Sequence, residues 1–74
     1  MINDKAVAAE ISQLMMDMSR QLNASLIEVQ ERCSEAEFIA YRQVVGQLMG
    51  DMYVDVMRPI YAVHPELTPE GLLD

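Results

Sequence analysis

Cys33 and His64 are the lone cysteine and lone histidine of the chain, the two residue types that thiol catalysis would need. A cysteine attacks as its thiolate and needs a neighbouring base or a cationic setting to become one. Arg32 adjoins Cys33 in sequence, but Cys33 falls on an apolar stripe beside a predicted turn, while His64 falls in a proline-marked tail. This placement reads as a structural or incidental cysteine, and no catalytic residue is assigned.

Metal chemistry fares no better. The chain holds seven methionines, and Met15/Met18 and Met49/Met52 each form an M-x-x-M pair. Thioethers are soft ligands suited to Cu(I). All four lie on predicted core faces, where methionine is an adaptable gap filler. One histidine and one cysteine cannot complete a tetrahedral site, and His64 with Glu66 supplies two ligands only. Asp51 and Asp55 are four residues apart on one helix face. Carboxylate-bridged metal bundles use inward Glu-x-x-His pairs, and no such pair faces inward here. The two aspartates read as a solvated face, and the chain is assigned no metal and no cofactor.

Arg42 is the charged residue with the least expected setting. It falls within an apolar face, between Phe38/Val45 and Ile39/Gly46. A buried arginine must be paired, whereas a snorkelling one keeps its head in water. Glu35, Glu31 and Glu28 are the candidate partners, and an anion clamp at an interface is the sharper alternative.

The formal net charge of −7 excludes whole classes of partner. Such a surface repels phosphates, which argues against nucleic acid and against anionic membranes. It admits a basic partner, although solubility alone explains an acidic surface. A single cysteine fits a reducing compartment. The stretch "MINDKAVAAEI" lacks a long apolar run with a basic flank, so no signal peptide is expected. No run of about 18 apolar residues predicts a membrane span. The expected location is the cytoplasm.

The elements that would position these residues are helices. Asn3 or Asp4 can cap a first helix over about 4–32. Val7, Ile11, Leu14, Met15, Met18, Leu22, Leu26, Val29 and Cys33 form its apolar stripe. Glu10, Asp17, Arg20, Glu28 and Glu31 lie opposite. Ser34 followed by Glu37 is a capping box, so a second helix starts at about 35 and runs to about 57, with a kinked extension past Pro59 as an option. The connection is so short that the helices must be antiparallel neighbours. The tail, 58–74, holds all three prolines and enough apolar residues to fold back over the bundle. Thr68-Pro69-Glu70 reads as the start of one further helical turn.

The second helix carries two adjoining apolar lines. Phe38, Tyr41, Val45, Leu48, Met52 and Val56 face the first helix; Ile39, Gly46, Gly50, Tyr53 and Met57 form the second line. Each glycine weakens a helix by about 1 kcal/mol relative to alanine. Two glycines one turn apart admit a second backbone closely, by analogy with membrane helices. The competing reading is that they accommodate a bulky tyrosine of the same chain or mark a bend. The second line, Arg42 included, is therefore the expected interface, with the second helix crossing its symmetry mate there.

The expected fold is all-α, a single domain: an antiparallel helical hairpin with a folded-back tail, homodimerised as a four-helix bundle. Ala9, Met16 and Ile27, off the main stripe, are candidates for a further interface that would give a tetramer or hold a partner. The expected function is non-catalytic protein–protein interaction, as an adaptor, regulator or chaperone-like subunit with an unidentified protein partner. The alternative is a small-molecule-binding bundle with an apolar pocket near Tyr41, Arg42 and Tyr53.

Overall fold

The computed structural model describes residues 1–69 and is all-α. Helix α1 spans Lys5–Arg32, 28 residues in length. The Asp4 carboxylate accepts a hydrogen bond from the Val7 amide at 3.1 Å and so caps its first turn. Arg32 in the last turn complements the helix dipole. The chain reverses at Cys33 and Ser34. Helix α2, Glu35–Met52, starts on the capping box: the Glu37 amide donates to the Ser34 hydroxyl at 3.2 Å, and the Glu37 carboxylate accepts from the Ser34 amide at 3.3 Å. The Ser34 hydroxyl also donates to that carboxylate at 2.8 Å; this bond first, and the one from the Ser34 amide second, hold the Glu37 carboxyl below its ordinary range.

The returning arm does not stop near residue 57. A π turn, Tyr53–Met57, leads directly into α3, Arg58–Val63. The three segments of 18, 5 and 6 residues together match α1 in length. The result is a two-armed rod with extents of 44 × 20 × 16 Å. Only beyond Val63 does the chain leave the arm, through a 3-10 turn at Pro65–Leu67. The helical turn expected after Pro69 lies outside the described residues.

Pro59 accounts for the π turn. Proline has no N–H, and its ring would crowd the carbonyl four residues back, at Asp55. The wider turn relieves that crowding: the Arg58 amide bonds to the Tyr53 carbonyl, five residues away. Such a turn absorbs one extra residue and sets back everything after it by about 100° around the axis. On an uninterrupted α-helix, Met57, Tyr61 and His64 would lie about 100–160° from Val45, away from α1. Set back, all three come within about 60° of it. Met57, Ile60, Tyr61 and His64 are accordingly buried. Met57 therefore leaves the line on which the 3.6-residue period placed it, beside Ile39 and Tyr53, and enters the core.

The core lies off-centre, toward the open end of the hairpin. Ala8, Met57, Ile60 and Tyr61 form it, with Ile11, Met15, Met16, Val56 and Leu67 packed around them. Met16 was expected near the far side of α1; the α3 end of the second arm covers it instead. Ala8 and Ser12, both small, face the second arm and let it approach. A buried hydrogen bond ties the arms there: the Ser12 and Tyr61 hydroxyls are 2.6 Å apart. Tyr61→Phe leaves the buried Ser12 hydroxyl unpaired and is expected to cost about 1–3 kcal/mol. Ser12→Ala combined with Tyr61→Phe should cost less than the two single changes added together. Urea denaturation of the four proteins checks this, and strict additivity would mean that the bond contributes nothing.

Candidate functional site

The structure separates the residues that chemistry would have to bring together. Cys33 is exposed at the hairpin turn, whereas His64 is buried at the other end of the rod. The His64 Nε2 lies 2.8 Å from the Ile2 carbonyl oxygen. A carbonyl only accepts, so Nε2 carries the proton and donates. Nδ1 faces the Glu66 carboxylate at 3.7 Å, and Lys5 reaches the same oxygen at 3.5 Å. The Glu66 carboxyl is held below its ordinary range, first by its own backbone amide and more weakly by Lys5 and His64. This cluster fastens the chain start to the 3-10 turn, and each polar member has a partner inside the molecule.

The methionine pairs do not gather into a thioether site. Met15 packs against the core, Met49 and Met52 are half-buried, and Met18 is exposed. Among the described residues no group of three or more histidine, cysteine, aspartate or glutamate side chains could hold a metal ion. Asp51 is exposed and accepts from Gln47 at 3.1 Å, and Asp55 is exposed as well. Among the described residues no helix is long and apolar enough to cross a membrane.

Arg42 is not buried. Its guanidinium lies over the Phe38 ring, 5.5 Å from the centroid, with its head in solvent. Arg20 and Arg32 pair with Asp17 and Glu28, but Arg42 makes no ion pair among the described residues. Glu35, Phe38, Ile39 and Arg42 line a shallow hollow of about 410 Å³ beside the hairpin turn.

Tyr41, the next residue round the helix, belongs to a different hollow. Its hydroxyl is 2.7 Å from the Ser25 hydroxyl, which itself donates to the Leu22 carbonyl at 2.7 Å. Above this bond lies an open groove of about 350 Å³, walled by Met18 and Leu22 of α1 and by Leu48 and Met52 of α2. Tyr41 and Arg42 thus line separate depressions, and Tyr53 lines neither. These two hollows do not bring Tyr41, Arg42 and Tyr53 together. The groove has a volume fit for a small ligand, but it is open along its length, whereas such sites enclose about 70–90% of what they bind.

The groove is the middle of a larger face. Val7, Leu14 and Met18 of α1 and Val44 and Leu48 of α2 are all exposed. Three of these belong to the strongest apolar line that α1 possesses. That line lies beside the contact with the second arm, against whose α3 end Ala8 and Ser12 are buried. On the other line of α2, Ile39 and Tyr53 are exposed too. Gly46 and Gly50 share it, and a methyl group built on either would meet nothing within 4 Å. Among the described residues no side chain fills the space over them, so the tyrosine-fitting explanation for the glycines fails. No family model matches this chain, and neither a curated protein nor a solved structure is significantly similar to it.

Proposed function

We propose that this chain is a non-catalytic interaction protein whose working surfaces are helix faces, and that it associates as a homodimeric four-helix bundle able to hold a further protein. One observation carries the reading: two antiparallel helices leave Leu14, Met18, Val44 and Leu48 in solvent on one face. An apolar area of this kind on a small chain marks an association surface or an aggregation liability. A chain of 74 residues also buries too little for ample stability by itself, and pairing hairpins is a common remedy. The roles of adaptor, regulator and chaperone-like subunit, in a cytoplasmic setting, all use such surfaces.

The acid excess and the openness of the groove support a protein partner over a nucleic acid or a small polar ligand. Sedimentation equilibrium over a wide concentration range tests the association directly. A dimer at micromolar concentration is expected. A chain that stays monomeric up to about 1 mM, where an association of about 4 kcal/mol would already show, would sink the homodimer.

A further inference from the structure

We propose that the groove between α1 and α2 receives a basic amphipathic helix of another protein. The apolar stripe of that helix lies against Met18, Leu22, Leu48 and Met52, and its lysines or arginines run along Glu37, Asp51 and Asp55. This rests on the reading that the chain works through helix faces, and it names the partner's chemistry and its seat.

The walls suit a helix. Met18 and Leu22 on α1, and Leu48 and Met52 on α2, are pairs four residues apart. Such pairs form the ridges between which the side chains of a third helix lie. The methionines are unbranched and adapt to the shape of an occupant. No side chain lining the groove carries a charge.

Charge chooses the occupant. Measured around the second arm from buried Val45, Glu37, Asp51 and Asp55 stand about 80–120° away, on the same side as Val44 and Leu48. All three carboxylates are exposed, and among the described residues none has a cationic partner. On α1 the matching edge holds Leu14 and Gln21, with Glu28 already paired to Arg32. The groove is thus apolar within and acidic along its α2 flank. The other side of the second arm differs. Arg42 stands there about 60° from Val45, and Arg58 about 120° once the π turn is allowed for, with Glu35 beside them. A basic amphipathic helix therefore gains from both features of the groove side and from neither on the other. A second copy would bring a net charge of −7 to the same flank, and a nucleic acid its phosphates. From Glu37 to Asp55 the arm rises about 27 Å, so a partner helix of about 18 residues spans the flank.

The probe is a fluorescent amphipathic peptide of about 18 residues, leucines on one face and lysines on the other. The same peptide with glutamate for lysine is its control. Anisotropy titrations use the wild type, Asp51→Asn with Asp55→Asn, Met18→Ser with Leu48→Ser, and Ile39→Ser, each checked for helicity by circular dichroism. All the changed side chains are exposed, so the hairpin tolerates the substitutions. The lysine peptide is expected to bind the wild type at micromolar concentration, at least about 100-fold more tightly than the glutamate peptide. The asparagine pair should weaken it about fivefold, an effect that fades at about 0.5 M salt. The serine pair should weaken it at least about tenfold, and Ile39→Ser less than about threefold. Equal binding of the two peptides overturns the inference, as does no binding below about 1 mM or a loss confined to Ile39→Ser. Sedimentation of the same proteins without peptide separates this from the homodimer. If the serine pair dissociates a wild-type dimer, a second copy fills the groove and the inference falls while the homodimer stands. A monomeric wild type that binds the lysine peptide supports the inference and removes the homodimer.

Discussion

Ile60→Ala is expected to destabilise the chain by about 2–5 kcal/mol, a large share of what a domain of this size possesses. Ile60 has no solvent exposure, and Ala8, Met57 and Tyr61 share its cluster. Deleting its outer carbons loses their transfer energy and opens a cavity beside the Ser12–Tyr61 bond. Met15 and Met16 are unbranched and can lean inward, which holds the cost toward the lower end of that range. Urea unfolding followed by circular dichroism measures it. Val63→Ala, at an exposed position three residues on, is the control and should stay within about 0.5 kcal/mol. An unchanged midpoint for Ile60→Ala would mean that the α3 end of the arm is not packed on α1.

Deleting Asp55 should leave the fold intact, whereas inserting one alanine beside it should cost several kcal/mol. The π turn holds one residue more than an α-helical turn needs. Removing exposed Asp55 turns Tyr53–Met57 into ordinary helix and keeps Met57, Ile60, Tyr61 and His64 facing α1. The crowding at Pro59 then returns, so a modest loss of melting temperature is expected. An insertion instead advances every later residue by about 100° and turns Met57 and Tyr61 away from α1, with the loss of two large buried side chains. Melting curves of the two variants decide the matter. Equal losses would show that the phase of the second arm is not what buries those residues.

Much of this architecture is legible in the residues themselves. Asp4, Ser34 and Glu37 mark both helix starts through hydrogen bonds that only such side chains make at those positions. The short connection leaves a hairpin as the one arrangement. Two things were harder to read. A uniform 3.6-residue period carried through residues 53–57 puts Met57 on the outer line; the missing amide of Pro59 was the signal that the period would break. Hydrophobicity also points to Val7, Leu14 and Met18 as the seam of α1. The close contact runs through Ala8 and Ser12 instead, because small side chains let two helices approach and a serine can pair its hydroxyl with a tyrosine. The open groove follows from the same displacement. The glycines announced a need for space but not which neighbour would use it.

The three hydrogen bonds that cross between the arms, or between the ends of the chain, also order the folding of this molecule. Ser25 and Tyr41 are 16 residues apart in sequence, Ser12 and Tyr61 are 49 apart, and Ile2 and His64 are 62 apart. Made directly from the unfolded chain, the last would need the largest loop closure. Made in sequence from the capped turn at Ser34, each needs only a short closure beyond the one before. The hairpin thus zips from its turn and comes apart from its ends, with the His64–Ile2 bond the last to close and the first to open. The main core lies at that late-closing end, so the final steps of folding bury the side chains that contribute most to its stability.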